Sequence, residues 1–588
     1  MALRIGRWEG FHPFGRPTNP GAARGRIPRV RNDETGIRDR RRRAAAAPVG
    51  LGALSGLLAG LASLAVAALV SSAVRPQAGP VVAVGGAAID RTPAAVKDWA
   101  IRNFGTNDKL VLQVGIIAVL ALLALGLGIA ALRLRRAGVA GVLLFGLVGA
   151  VAAVTRPDAS GPLDTVPSLA GAVAGAAVLY TLTGRLTAGA PTAPSSGGGA
   201  PDQEPGEEQE REPGEEGEQG RGEEHGWDRR GFVIAASLAA AASVGAGGLG
   251  RVLTGSAARD AAASRDRVLL PAPGSPAAPV PRGARLRIPG VSPFVTPNRS
   301  FYRVDTALVV PRVDATTWRL RVHGRGVTRP VTLSYDDLLR RELVERDITL
   351  TCVSNEVGGP YVGNARWTGV RLAELLAECG VRAPSRGGSA DQLVARSVDG
   401  MTLGSPVEDV MDGRDALLAL GMNGEPLPFD HGFPVRMVVP GLYGFVSACK
   451  WIEDIELTTF DAYDPYWVRR GWARRAPVKT QSRIDTPRPF ARPGAGTVMV
   501  AGVAWAQHRG IDRVEVRVDD GPWQRALLAA EAGRDTWRQW SFPWQATPGG
   551  HTLTVRATDR TGAVQTEQRT RTVPDGASGW HSVVVTVE

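Results

Sequence analysis

Cysteine is scarce. The 588 residues hold three, Cys352, Cys379 and Cys449, an odd and small number that excludes a disulfide framework. At least one is free, a ligand, or paired between chains. No C-x-x-C-H motif or other haem-binding segment occurs, so any haem-borne electrons have to arrive on a separate partner. No DNA- or RNA-recognition motif occurs either, which leaves the net charge of +12 to be explained otherwise. Aromatic residues are few in the first half of the chain, and the second half carries nearly all the Trp and every Cys. The mean hydropathy of −0.05 therefore averages an apolar half with a polar one.

Much of the excess charge sits in the N-terminal arm, at Arg38, Arg40, Arg41, Arg42 and Arg43, beside an apolar span. That is where the positive-inside rule places cations. Residues 1–48 are basic, Pro/Gly-rich and aperiodic, and are expected to be a disordered cytoplasmic arm or the product of a start codon assigned too early. Four apolar stretches follow within 49–186, over 49–74, 110–132, 137–155 and 167–186, each near the ~20 residues that cross a bilayer as a helix. The charges between them orient these helices consistently. The 81–109 segment, with Asp90, Lys97, Asp98 and Lys109, falls outside; Arg133, Arg135, Arg136 and Arg185 fall inside. The helix centres hold almost no ionisable residue, which argues against an ion or proton path and for an anchor.

Residues 187–228 open with Pro, Ser and Gly and pass into a run of Glu. They cannot bury apolar surface and read as a disordered cytoplasmic linker. A fifth apolar segment, 229–253, begins at Asp228-Arg229-Arg230-Gly231-Phe232-Val233. Paired Arg followed by Phe and an apolar run resembles a twin-arginine export signal, and equally fits a plain transmembrane helix with positive-inside flanks. Either delivers the rest of the chain outside, giving a multi-pass protein of the cell membrane. Residues 254–283 are Ala/Pro-rich and read as an outer tether.

From 284 to 487, strand-like runs (318–322, 348–352, 434–439) mix with helix-like ones (334–341, 372–379), which is α+β patterning. Cys379 lies on the apolar stripe of the second helix and reads as a buried small hydrophobe. From 488 to 588, Val514, Val516 and Val518, then Leu553, Val555 and Ala557, then Val583, Val585 and Val587 alternate with polar residues. Asp519-Asp520-Gly521 and Asp559-Arg560-Thr561-Gly562 supply turns between them. This is the pattern of an all-β sandwich of immunoglobulin-like type.

Two stretches carry chemistry. In Ile348-Thr349-Leu350-Thr351-Cys352-Val353-Ser354-Asn355-Glu356, a β-branched strand delivers a Cys to its end, where Gly358-Gly359-Pro360 takes over. A rigid strand end beside a Gly-rich loop suits a nucleophile or a soft metal ligand; a structural Cys fits the residues as well. The second stretch runs from Met422-Asn423-Gly424-Glu425-Pro426-Leu427-Pro428 through His431-Gly432-Phe433-Pro434-Val435-Arg436 to Ser447 and Lys450-Trp451. It gathers His, Arg, Ser and Lys among glycines, a set suited to a phosphate-bearing cofactor or to ordinary salt bridges.

Taken together with Thr296-Pro297-Asn298, Phe301-Tyr302-Arg303 and Trp367-Thr368-Gly369-Val370, these pieces resemble the sulfite oxidase family. The resemblance runs from Ile288 to about Pro487, and the C-terminal sandwich resembles that family's dimerisation domain, which implies a homodimer. With the helices and the sandwich read above, the fold class is an α-helical membrane anchor of about five transmembrane helices, an α+β molybdopterin domain of sulfite-oxidase type, and the all-β immunoglobulin-like sandwich. The resemblance further implies a molybdenum cofactor in which one molybdopterin chelates molybdenum, with Cys352 as the protein's thiolate ligand and catalytic centre. Tyr302 and Arg303 would line the cofactor, His431 and Arg436 would contact the pterin and its phosphate, and Ser447 and Lys450 would close the site.

There are departures. Sulfite-oxidising members place an Arg five residues after the ligand Cys, where this chain has Val357. Their metal-proximal Tyr has no clear equivalent in the Trp-rich stretch from Tyr466-Trp467 to Trp472. Arg469, Arg470, Arg474 and Arg475 read as an anion funnel or a solvated basic face. The resemblance implies two-electron oxygen-atom transfer on a small, sulfur-containing substrate, served by a separate cytochrome or quinone-linked electron partner and with no nucleic acid involved. Reduction of a sulfoxide-type substrate is the alternative within the fold. A non-catalytic membrane-tethered binding protein is the alternative outside it; loss of Cys352 or Arg436 would mark that case, and both are present.

Overall fold

A computed structural model describes residues 34–93, 96, 104, 108–156, 159, 161–187 and 228–588. The chain divides into two compact units, 1–51 and 52–588. Within the first, the described residues are helical from Glu34 onward. That helix, α1 (Glu34–Val74), starts inside the stretch expected to lack structure, where Arg and Ala, both strong helix formers, follow one another. The rest of the expected arm, and the acidic linker apart from Thr187 and Asp228, lie outside the described residues.

The second unit opens with helices. After α1 come α2 (Pro80–Arg91), α3 (Asp108–Ala131), α4 (Arg135–Thr155), α5 (Val166–Thr187) and α6 (Arg229–Asp266). Among the described residues, five helical segments are long and apolar enough to cross a membrane. α2 is a short helix in the segment that the charge pattern places outside, for which no secondary structure was expected. Glycine lets the long helices approach backbone to backbone: a Cβ on Gly56 would lie 1.9 Å from the Ala124 carbonyl, and one on Gly128 would lie 2.1 Å from that of Gly52.

α6 is longer than its apolar run. Asp228 caps it by accepting from the Gly231 N–H at 2.8 Å, and it continues to Asp266, into the stretch expected to be a tether. There Arg265 donates to the Leu427 and Pro426 carbonyls at 2.8 and 2.7 Å. Beyond it the chain is tied down again, the Glu345 N–H donating to the Ser275 carbonyl at 2.9 Å.

The α+β region holds two sheets. One contains β1 (Arg319–Gly324), β2 (Val331–Ser334), β5 (Gln392–Ser397), β6 (Thr402–Pro406) and β10 (Ile452–Thr458), in the order β2-β1-β10-β5-β6. Its β1–β10 pair is parallel and joins Arg321 to Asp454. The other contains β3 (Val344–Thr351), β4 (Val362–Arg371), β7 (Leu417–Met422) and β8 (Glu425–Pro426), with β9 (Arg436–Val438) against β7. Ser334 opens a short helix, α7 (Tyr335–Leu339), in a reciprocal capping box with Asp337. α8 (Leu372–Glu378) buries Leu372, Leu375 and Leu376, and Cys379 closes it inside the same core, 1% exposed.

The C-terminal region is two packed four-stranded sheets. β11 (Gln481–Thr486), β12 (Gly496–Trp505), β15 (Leu527–Leu528) and β16 (Arg538–Ala546) form one; β13 (Ile511–Val518), β14 (Gln524–Arg525), β17 (Gly549–Asp559) and β18 (His581–Val587) form the other. The alternating residues point inward: Val514, Val516, Leu553, Val555, Ala557, Val583, Val585 and Val587 share one core with Trp540 and Phe542. β11 belongs to this region although the sequence pattern assigned it to the preceding domain, because its pairing partner is β12. Trp505 and Trp537 reach instead into the core of the α+β region.

Candidate active site

β3 rises out of the core with Ile348, Leu350 and Thr351 buried, and ends one residue before Cys352. The loop after it is a closed turn. The Cys352 N–H donates to the Tyr361 carbonyl at 2.9 Å, the Asn355 N–H to the Cys352 carbonyl at 3.0 Å, and the Tyr361 N–H to Asn355 Oδ1 at 2.7 Å. The thiol is thus fixed at a strand end, 8% exposed. Burial pushes its pKa up; the N–H and hydroxyl of Ser354 and the charge of Lys450 act against that.

The motif pieces that lie far apart in sequence meet around Phe301. Its ring stacks on Tyr302 at 5.1 Å and meets His431 and Trp367 edge-on at 5.6 and 5.9 Å. The Arg436 guanidinium lies over Trp367, 5.2 Å from the ring centre. Asn423, held at φ 55°, donates to Asn298 Oδ1 at 2.7 Å and to the Thr296 carbonyl at 3.0 Å. This locks the 296–298 turn onto the 422–428 turn. Gly432, at φ 110°, separates Lys450 from Arg436; a Cβ there would lie 3.1 Å from the Lys450 Cα and 3.2 Å from the Arg436 Cβ.

Electrostatics complete the site. Tyr302 is half-buried; burial and the neighbouring Cys352 raise its phenol above the ordinary range, and Arg436 pulls the other way. His431 Nε2 donates to the Asn298 carbonyl at 2.8 Å. Burial, with help from Arg436 and Lys450, lowers its pKa to about 4, so the ring is neutral at pH 7 and Nδ1 accepts. Arg303 pairs with Asp430 at 3.3 Å, and Lys450 with buried Asp305 at 2.8 Å. Ser447 stands apart: its hydroxyl is turned to the Leu442 and Tyr443 carbonyls, each at 3.0 Å. Toward the site it offers lone pairs only.

Arg436 is the informative residue. It is 6% exposed, its Nε has no hydrogen-bond partner, and burial lowers its pKa. A buried guanidinium with an unspent donor is costly unless an anion meets it, which fits a phosphate-bearing ligand. Among the described residues no group of three or more His, Cys, Asp or Glu could hold a metal ion by itself. A single buried thiol with the charge of Lys450 acting on it fits a metal that brings its own organic chelate.

Sequence reasoning missed the residues of the sandwich that brace this loop. Gln507, 1% exposed, donates through Nε2 to the Thr349 carbonyl at 3.0 Å and to Thr351 Oγ1 at 2.9 Å. Arg483 donates to the Gly359 carbonyl at 2.7 Å, and the His581 ring packs where a Cβ on Gly358 would lie, 2.2 Å from its Cδ2. Asp305 and Asp430, the counter-charges, were missed as well. They stand as single acids with no local pattern to mark them.

Fold and site together show an α+β domain in which a buried thiol at a strand end lies among the motif residues gathered around Phe301 and Tyr302, with the cations Arg436 and Lys450 close by. Comparison with known proteins gives the class. Residues 307–467 match the oxidoreductase molybdopterin binding domain. Mitochondrial sulfite oxidase of Mus musculus is 33% identical over 293 residues, covering 43% of this chain and 53% of that protein. The oxidoreductase YuiH of Bacillus subtilis is 33% identical over 185 residues, covering 31% of this chain and 87% of that protein. Among solved structures, the sulfane dehydrogenase SoxCD of Paracoccus pantotrophus aligns at 26% identity and a TM-score of 0.43, over 50% of this chain and 83% of that one. The chain belongs to the sulfite oxidase family of molybdopterin oxidoreductases. It spans about half the length of the mammalian sulfite oxidases it matches.

Proposed function

We propose that the chain is a membrane-anchored oxidoreductase whose catalytic domain lies outside the cytoplasmic membrane and carries out two-electron oxygen-atom transfer on a small sulfur-containing substrate. The observation that carries this reading is Arg436, buried with its Nε short of an acceptor, beside the same Tyr302 that neighbours Cys352 at the close of β3. A bound molybdenum–molybdopterin would supply the redox chemistry. Cys352 would ligate the metal, Arg436 and neutral His431 would hold the phosphate and pterin, and Tyr302, Arg303 and Lys450 would line the cavity. Asp305 and Asp430 hold Lys450 and Arg303 in place until a stronger anion arrives.

Five membrane-length helices oriented by their flanking arginines support the anchor, and Arg229-Arg230 at the start of α6 supports twin-arginine export. The two-sheet C-terminal region supports an immunoglobulin-like dimerisation domain, and electrons pass to or from a separate cytochrome or quinone-linked partner. Reduction of a sulfoxide-type substrate is a second reading. It rests on Val357, an apolar residue where sulfite-oxidising members place Arg.

Metal analysis of the full chain from molybdate-fed cells tests the core claim; about one molybdenum per chain is expected. A screen of sulfite, thiosulfate and sulfoxides with artificial electron donors and acceptors then separates the two directions. A metal-free protein from such cells would overturn the assignment.

A further inference from the structure

A second cationic site lies away from Cys352. Arg91, Arg156, Arg396, Arg469 and Arg470 line a cavity of about 550 Å³ with one carboxylate, Asp90, among its described lining residues. That carboxylate is already engaged: Tyr466 Oη donates to Asp90 Oδ1 at 2.5 Å, and Arg470 pairs with it at 3.7 Å. Arg470 also lies over the Tyr466 ring at 3.5 Å, and its Nε is buried without a hydrogen-bond partner. Arg396 also faces Glu453 on its other side, but the cavity's own lining is dominated by cations, and arginine forks match a phosphate two bonds at a time.

Its place in the fold points to the source of that anion. Asp90 and Arg91 end α2, Thr155 and Arg156 end α4, and the remaining walls come from β5, β6 and the 463–470 loop of the α+β region. On the orientation proposed above, on which this inference rests, the ends of α2 and α4 face outward at the level of the outer lipid headgroups. That is the side on which arginine is ordinarily depleted. On the last turns of α4, just before the lining residues Thr155 and Arg156, Val151 and Val154 are 49% and 39% exposed.

We propose that this cavity seats the phosphate of an anionic outer-leaflet phospholipid, with its acyl chains along Val151 and Val154. The lipid would hold the catalytic domain against the membrane face.

The test uses the full chain, delipidated in neutral detergent and titrated with short-chain phosphatidylglycerol, the matching phosphatidylcholine, or inorganic phosphate. Phosphatidylglycerol should bind saturably and raise the thermal midpoint. Phosphatidylcholine should not, and inorganic phosphate should need at least about 100-fold higher concentration, because it lacks the chains. Arg91→Gln with Arg396→Gln should weaken phosphatidylglycerol binding about tenfold or more. Arg91→Gln alone, on an exposed helix end, should weaken it about threefold and covers the case in which the change at Arg396 unsettles β5. Equal binding by wild type and variants would overturn the site; phosphate binding as tightly as the lipid would overturn its lipid source. Release of the chain by an alkaline carbonate wash would overturn the membrane reading itself, and this is scored separately from the titration.

Discussion

At the scale of single residues the site is a set of groups held in unfavourable electrostatic states. Arg436 is the clearest. Removing a buried charge that lacks a full set of partners costs the protein little and often helps it. Arg436→Met, close in volume, should therefore leave the thermal midpoint of the cofactor-free protein unchanged or higher while abolishing molybdenum retention; a variant that keeps its metal would show that the cation does not grip the cofactor. Cys352→Ala removes a small group at the end of a strand fixed by its neighbours. It should leave the fold and much of the pterin content intact and eliminate turnover, as measured by pterin fluorescence against activity. Two histidines add a pH signature. His431 and His581 are both held near pKa 4, mainly by burial, against an ordinary 6.5. Between those values the unfolded chain binds protons that the folded chain refuses. Their contribution, complete above about pH 6.5, is thus lost as pH falls toward 4, by on the order of 1–3 kcal/mol per histidine. Thermal midpoints from pH 7.5 to 4.5 should fall accordingly, and His581→Gln should remove about half of that dependence.

At the scale of elements, β3 is positioned by the sandwich as much as by its own sheet. The Thr349 N–H donates to the Asp535 carbonyl, the Trp537 N–H to Thr349 Oγ1, and Gln507 to both Thr349 and Thr351. Gln507→Leu leaves the Thr349 carbonyl and Thr351 hydroxyl without that donor, a loss of about 1–3 kcal/mol. Turnover per bound molybdenum should fall roughly 10–100-fold, as for other supports of a metal ligand, and normal turnover at full metal content would show that β3 stands without the brace. Gln507 also marks the limit of what the sequence tells. β3 was legible because a β-branched run closes in polar residues and glycine, α7 because a helix-like run starts at Ser334, and β13, β17 and β18 because one face alternates. The residues gathered around Phe301 could be picked out because they fall inside compact motifs. The Gln507 clamp joins residues over 150 positions apart, and nothing local in either segment encodes it. α2 drew no reading because its Gly-Ala-Val composition carries no cap or charge pattern, and α6 was read short because apolarity marks where a helix is greasy, not where it stops.

At the scale of the whole molecule, assembly order constrains export. The first sheet closes only when β10 pairs with β1, which links Arg321 to Asp454 across 133 positions. Cys352 and Arg436 then lie buried beneath the completed fold, at 8% and 6% exposure. A chelate gripped by those two residues would be held within the folded domain. A domain threaded unfolded through a membrane would meet its cofactor on the wrong side. A domain exported after folding would carry it across, and Arg229-Arg230 sits where such a signal would have to be, immediately before the apolar run of α6 and inside its first turn. Arg229→Lys with Arg230→Lys conserves charge, helix propensity and the Asp228 cap. A plain transmembrane helix should tolerate the change. On the export reading, protease added to spheroplasts should digest the 284–588 region of the wild type and spare that of the double variant, which should retain its molybdenum inside the cell. Equal digestion of both would leave the arginines as ordinary positive-inside flanks.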